Sequence, residues 1–428
     1  DLINVLALGS GGREHAICWK LKQSPKLNQL YVAPGNSGTA EIAHNIKVDL
    51  QNYHEIKQVI NDYNIKLLII GPEGPLVAGL HDKLDSDKDI SNLIIIGPKK
   101  GGAQLEGSKS FAKKFMRKYN IPTANYQEFD AKNWEDGVEY LKKSKPPFVI
   151  KVDGLAAGKG VFICNELNEA IKIMKDIAVK SIFGDAGNKI VIEDFLEGIE
   201  LSVFILTNGN NYKILPTAKD YKRIGENDTG LNTGGMGAIS PPSFLDKKLL
   251  KKIITKIIEP TLEGLKKEKI EYEGFIFFGL IKVNNEPFVI EYNVRLGDPE
   301  TQAILPRIES DILEVCYDIK NLKKFENHNI VIKNLSTTTV ILTSGGYPEK
   351  YEKGLELKGL ENMKNCIPFH AGLIHENGKH ITNGGRVLAI TGIGENIRKA
   401  RKNSYDNVKK INFKDLYFRK DIGLDIIK

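Results

Sequence analysis

The sequence predicts an α/β chain in three parts: a parallel sheet covered on both faces, a smaller α+β unit, and a mostly β unit. Three observations carry this. Across the first hundred residues, apolar runs ending in glycine alternate with helical patterns. A glycine loop, "KVDGLAAGKG" at 151–160, then sits between two strand-like runs. Beyond about residue 330, apolar residues return at period two.

A chain of 428 residues is too long for one core and divides into two to four domains. Its apolar share of 41% and charged share of 27% are those of a soluble globular protein. The net charge of +7 is spread among acids without a block of like charge, which argues against a nucleic-acid tail. Cys18, Cys164, Cys316 and Cys366 lie far apart with no C-x-x-C pair, so neither a disulfide framework nor a zinc site is expected. The longest apolar runs fall short of a membrane span and nothing N-terminal reads as a secretory signal. A cytoplasmic protein without membrane or nucleic-acid partners is expected.

The first element is the strand "INVLALG" at 3–9, followed by the helical "REHAICWKLKQS". "QLYVAPG" (29–35), "KLLIIGP" (66–72) and "NLIIIGP" (92–98) repeat the pattern. Continuous apolar strands alternating with helices imply a parallel, Rossmann-like sheet whose ligands sit at the carboxyl ends of the strands. A helix over 108–120 leads to Pro122, and the glycine loop and "KIVIEDFLEGIELSVFIL" (189–206) follow. Leu249, Leu250, Ile253, Ile254, Ile257 and Ile258 recur at helical spacing in 247–267, predicting a lysine-flanked helix packed on the core rather than a membrane-surface helix. Residues 274–298 read as a hairpin around "NNE", and Asn377–Gly378 as a second hairpin turn. His370, His375 and His380 straddle that turn and read as packing or surface residues.

Several stretches carry chemistry. The glycine loop is not a Walker A loop, since Gly154 and Gly158 are too close and Gly160 follows Lys159. "GSGGREHA" (9–16) opens a helix after a strand, but Glu14 stands where a dinucleotide fingerprint needs glycine. Its glycines fit either a phosphate monoester at a helix N-terminus or a tight turn with no ligand. Glu193, Glu197 and Glu200 fit a nucleotide's adenine and ribose edge; on the residues alone a solvated acidic turn explains them better. In "FVIEYNVRLGDPE" (288–300), Glu291 and Asn293 alternate to one strand face and offer a hard cation a carboxylate and an amide oxygen. Arg295, on the same face, suits a planar carboxylate or phosphate. The same alternation also describes a strand with one solvated side.

Taken together, "GSGGREHA", "VAPGNSGTA", "IIGPEGPLVAGL", "AQLEGSKSFAK", "IKVDGLAAGKGV", "VIEDFLEGIELS", "NTGGMGA", "IEYNVRLGDPET" and "TNGGRVL" resemble the glycinamide ribonucleotide synthetases. These phosphoribosylamine–glycine ligases belong to the ATP-grasp enzymes of purine biosynthesis. The resemblance runs in order from residue 3 to the "YFRKDIG" tail, and the monofunctional form is expected. It implies a Rossmann-like domain over 1–103, an ATP-grasp domain over 104–328 with a mobile lid at about 122–195, and a small C-terminal domain over 329–428.

The resemblance also implies a carbon–nitrogen ligase that joins glycine to 5-phosphoribosylamine through glycyl phosphate, with ATP and Mg²⁺ or Mn²⁺, as a monomer or homodimer. Lys109, Lys151, Gly154, Gly158, Lys159, Gly160, Glu193, Phe195, Leu196 and Glu200 would hold ATP, and Glu291 and Asn293 the metal. Gly11, Gly12, Gly35, Asn36, Gly71, Glu73, Gly297 and Asp298 would hold phosphoribosylamine, and Arg295 and Asp220 would place glycine beside Lys151. Lys219 stands where the family usually has glutamine, Tyr221 where histidine is common, Leu231 for a usual proline, Ile239 for a usual tyrosine and Phe278 for a small residue. None is a proposed metal or phosphate ligand. The remaining readings are an ATP-grasp ligase for other substrates, a nicotinamide dehydrogenase, disfavoured by Glu14, and a non-catalytic nucleotide sensor, disfavoured by Glu291 and Asn293.

Overall fold

The computed structural model describes residues 2–156 and 158–427. Asp1 lies outside them, as does Ala157, which the expected phosphate loop includes. The four apolar runs ending in glycine form one parallel sheet, with a short exposed strand, His44–Asn45, as its fifth. From edge to edge its strands are His44–Asn45, Leu27–Pro34, Ile3–Gly9, Ile65–Ile70 and Ile94–Ile96. Its central strand is buried on both faces, as its unbroken apolar run requires. Glycine-marked turns place the loops after Gly9, Pro34 and Ile70 together at the carboxyl end.

A four-stranded antiparallel sheet follows, ordered Tyr126–Asp130, Lys189–Asp194, Phe148–Val152 and Val161–Cys164. The expected lid segment thus has its own core, where Val138, Leu141, Met174 and Ile177 of two helices cover Phe148, Ile150 and Ile192. The glycine loop returns into a strand as the sequence implied, with Lys151 opposite Val161. A second antiparallel sheet joins Tyr212–Ile214, Ile199–Thr207, Gly274–Val283 and Glu286–Asn293. The hairpin closing it turns through Asn284 and Asn285, at φ +48° and +63°, a left-handed pair that asparagine tolerates.

The helical pattern at 247–267 is one continuous run with a wide π turn over Ile254–Ile258. That turn shifts the register, so Ile253, Ile257 and Ile258 all face the core while Leu250 and Ile254 are only half-buried. The C-terminal sheet is not made from C-terminal residues alone. Lys219–Asp220 and Gly237–Ser240 line up with Ser336–Thr343, Arg386–Gly394 and Cys366–His370 in one five-stranded sheet. A small sheet beside it carries the Asn377–Gly378 turn. The four cysteines are free thiols. Among the described residues, no helix is long and apolar enough to cross a membrane.

Candidate functional site

Lys151 ends the strand Phe148–Val152, and Glu193 stands on the neighbouring strand opposite Val149. The Lys151 ammonium lies 3.0 Å from Glu193 Oε2. Lys113, on the helix Lys109–Lys118, reaches the same oxygen at 3.3 Å while donating to Thr123 Oγ1 at 2.8 Å. All three side chains are buried, and burial pulls the Lys113 ammonium down to about 8. Glu193 Oε1 is buried without a partner among the described residues, an orphan acceptor that calls for a donor from a bound molecule.

The glycine loop is anchored at its start. Asp153 accepts from Ser108 Oγ and from the Ser110 amide, at 3.0 and 2.7 Å, which ties the loop to the N-terminus of the helix Lys109–Lys118. Lys109 donates to the Gly154 carbonyl at 3.4 Å. Gly158 sits at φ +75°, a conformation that glycine takes without strain, and Lys159 is exposed. Gly160 closes the loop by accepting from the Val152 amide at 2.9 Å. Phe195, 40% exposed, and Leu196 form the open edge between the strands Lys189–Asp194 and Ile199–Thr207.

Glu291 and Asn293 share a face of the strand Glu286–Asn293, and Asn293 Nδ2 lies 3.5 Å from Glu291 Oε1. Burial pushes the Glu291 carboxyl up, but the ammonium groups of Lys222, Lys151 and Lys109 outweigh it and hold the group below the usual range. Glu291 is therefore ionised beside the Asn293 side-chain amide, and its carboxylate with that amide's oxygen is a donor set that fits Mg²⁺ or Mn²⁺. Among the described residues no group of three or more His, Cys, Asp or Glu forms a metal cage. A cation held by this pair would need its remaining ligands from water and phosphate oxygens, as Mg²⁺ commonly does. Asp220 is buried 3.9 Å from the Lys222 ammonium, which also reaches Glu200 Oε2 at 3.0 Å. Burial, then the charge of Asp220, pushes the Glu300 carboxyl up to about 8.

The N-terminal end differs from the free phosphate cradle expected at Gly11 and Gly12. The Gly11 amide donates to Glu14 Oε2 at 2.8 Å and the Arg13 amide to Asp298 Oδ2 at 3.3 Å. Glu14 thus stands where a dinucleotide fingerprint needs glycine because its carboxylate caps the helix that it opens. Asn36 is also fully engaged. Its Oδ1 caps the helix Ser37–Ile42, and its Nδ2 donates to the carbonyls of Ser10 and His370 at 2.9 and 2.7 Å. Glu73 and Arg295, expected to hold two different substrates, meet each other at 3.2 Å. Glu106 completes the guanidinium's neutralisation at 2.7 Å.

Gly71 packs on Glu14, Gly297 on Glu300, and Gly35 on Asn45, so these glycines make room for protein side chains. Asp298 is half-buried, which pushes its carboxyl up, yet Arg386 and Arg13 hold it below the usual range. Glu106, Lys113, Lys222, Glu300 and Arg386 did not emerge from the sequence as site residues. Lys222 alone carried a readable signal, two residues after Asp220 on an extended segment.

Family comparisons agree with this architecture. The phosphoribosylglycinamide synthetase N, ATP-grasp (A) and C domains match residues 3–106, 107–301 and 337–425. The chain is 45% identical over 425 residues to the phosphoribosylamine–glycine ligase of Fusobacterium nucleatum, covering 98% of each, and 41% identical to that of Haemophilus influenzae, again covering 98% of each. The crystal structure of the Thermotoga maritima phosphoribosylamine–glycine ligase superposes with a TM-score of 0.84 at 34% identity, over 98% of this chain and 100% of that one. By domain content, length and fold, this chain belongs to the phosphoribosylglycinamide synthetase family, the phosphoribosylamine–glycine ligases.

Proposed function

We propose that the chain joins glycine to 5-phosphoribosylamine at the expense of ATP, through glycyl phosphate, in purine biosynthesis. The observation that carries the reading is the ionised Glu291 beside Asn293, faced by the ammonium groups of Lys109, Lys151 and Lys222 below a glycine loop. ATP lies under the loop Gly154–Gly160, with its adenine along Phe195 and Leu196, where Glu193 Oε1 awaits a donor and Glu200 borders the ribose. Lys109, Lys151 and Lys159 serve its phosphates. Glu291 and Asn293 hold Mg²⁺ or Mn²⁺, which when bound offsets the charge of the triphosphate.

Glycine's carboxylate oxygen attacks the γ-phosphorus, the β–γ bridging oxygen leaves with ADP, and the acyl phosphate forms. The amine of phosphoribosylamine then attacks the acyl carbon, loses a proton and expels phosphate, which carries away one glycine oxygen. The chain's residues supply alignment and charge compensation rather than a covalent nucleophile. Asp220 is placed for the glycine ammonium. Arg295 spends three of its five donors on Glu73, Glu106 and the Leu296 carbonyl, and the remaining two face glycine's carboxylate. Because the Gly11 and Arg13 amides are engaged, the region of Gly11, Gly12, Gly35, Asn36, Gly71, Gly297 and Asp298 serves phosphoribosylamine mainly as a shaped wall. Glu73 and Asp298 are the acceptors there for its hydroxyls.

The test uses glycine labelled with ¹⁸O in its carboxylate, Mg·ATP, and phosphoribosylamine formed in place from ribose 5-phosphate and ammonia. Glycinamide ribonucleotide together with ¹⁸O in the released phosphate is the expected result. ATP hydrolysis without that product would move the activity to another carboxylate or amine, and product with unlabelled phosphate would remove the acyl phosphate.

A further inference from the structure

The segment Lys219–Asn232 presents two faces. Asp220 and Lys222 point into the cleft, within 3.9 Å of each other and with Lys222 3.0 Å from Glu200. The alternate side chains of Lys219 and Tyr221 turn the other way, onto the stretch Tyr417–Asp425 near the end of the chain, and Arg223 meets that stretch through its carbonyl. The Lys219 side chain is 9% exposed, and its ammonium meets Asp425 Oδ2 at 3.0 Å and lies 3.7 Å from the centre of the Tyr221 ring. The Tyr221 hydroxyl donates to Asp425 Oδ1 at 2.6 Å and accepts from the Gly423 amide at 3.1 Å.

Further along, Arg419 has no exposed side-chain surface. It donates to both oxygens of Asp421 at 2.8 Å each, to Asp228 Oδ1 at 2.8 Å and to the Arg223 carbonyl at 3.1 Å. Asp421 in turn accepts from the Asn227 amide at 2.8 Å, and the Tyr417 hydroxyl donates to the Ile224 carbonyl at 2.7 Å. The stretch is itself fixed to the helix Ile397–Val408, since Tyr405 donates to the Arg419 carbonyl at 2.6 Å and Arg401 to that of Ile422 at 3.0 Å.

The sheet cannot hold this segment alone. Its ladder covers only Lys219 and Asp220, and beyond them the cleft-side chain keeps three backbone bonds to residues 233–237. Arg223–Gly225 folds back on Thr229–Asn232 as a two-stranded hairpin, which ties the segment only to itself, and Lys222 reaches Glu200. Tyr417–Asp425 adds the anchors on Tyr221, Arg223, Ile224, Asn227 and Asp228 described above. A fork of charge-assisted bonds on a buried arginine is a rigid anchor, and a buried ammonium with one carboxylate partner is sensitive to that partner's removal.

We propose that Tyr417–Asp425 is a positioning element for the glycine end of the site. Arg419 and Asp425 act through Lys219, Tyr221 and Arg223 to set where Asp220 and Lys222 stand. This rests on the placement of glycine at Asp220 proposed above. None of the tail residues touches substrate.

The experiment compares the wild type with Asp425→Asn, which keeps the side chain's shape, and with Tyr221→Phe, which removes one hydroxyl. Amide hydrogen exchange over 219–233 is expected to quicken about tenfold in both while the N-terminal sheet stays unchanged. The KM for glycine is expected to rise about tenfold with the KM for Mg·ATP unmoved, and Asp425→Glu to recover part of both effects. Unchanged exchange in both variants would overturn the proposal, as would faster exchange with an unmoved glycine KM, which would make the tail purely structural. Should the wild type show no glycine-dependent turnover, the ligase reading fails, and the exchange result by itself decides whether the tail holds the segment.

Discussion

At the scale of single residues, the site is a set of charges balanced across long sequence distances. Glu291 stays ionised in a half-buried place because three lysines from three segments surround it. Glu291→Gln keeps the volume and removes the charge, and Mg·ATP-dependent turnover is expected to fall about 100-fold, the upper end of what even outer-shell partners of a metal cost. A titration of the rate with Mg²⁺ checks this, and saturation at unchanged concentration would take Glu291 out of the metal site. Arg295 is expected to show two effects at once. Arg295→Ala should raise the KM for glycine at least about tenfold. It should also cost roughly 3–5 kcal/mol by leaving Glu106 buried without its cation. Lost stability with an unmoved KM would make Arg295 a structural residue only. The shared face of Glu291 and Asn293 was legible in the sequence because the two obey the two-residue period of one strand. Glu106 and Arg386 were not, because their partners, Arg295 and Asp298, lie on segments that meet only through the tertiary fold.

Elements were read more reliably than contacts. Glycine-ended apolar runs gave the parallel sheet, and the asparagine pair at 284–285 marked the hairpin of an antiparallel one before any packing was known. The helical run 247–267 followed from spacing, but its π turn did not, since a shift of one residue in register leaves the apolar pattern almost unchanged. That turn brings Ile257 and Ile258 inward together. Ile257→Ala is therefore expected to cost about 2–5 kcal/mol, with the denaturant slope of urea unfolding unaltered. A cost under about 1 kcal/mol would show that the wide turn relaxes to refill the space.

At the scale of the molecule, the N-terminal and C-terminal units are joined by neutral histidines. The His370 amide donates to His15 Nδ1 at 2.8 Å, which requires an unprotonated nitrogen there, and His370 Nδ1 meets Ser37 Oγ at 2.8 Å. Burial lowers His15 to about 4; burial and the neighbouring histidines lower His370 to about 3. Unfolding exposes both to their ordinary value near 6.5, so the unfolded chain binds more protons below that pH. Stability is full above it and drains away as the pH falls toward 4. Between about pH 7.5 and about pH 5.5 the two should together cost about 1–3 kcal/mol, read as a drop in the urea midpoint. Replacing both by glutamine should flatten that part of the profile; an unchanged slope would assign it to other groups. This junction was invisible in the sequence, where the histidine at 370 read as one of three near a hairpin.

The mixed ancestry of the C-terminal sheet sets an order of assembly. Gly237–Ser240 pairs with Thr337–Val340, so on the ribosome it waits roughly 100 residues, or about 5–20 s of synthesis, for its neighbour. The half of the cleft around Lys151, Glu193 and Glu291 has all its strands by Asn293, whereas the segment carrying Asp220 settles only when the last strands emerge. A nascent chain thus completes the lysine-lined half of its cleft before the half that carries Asp220.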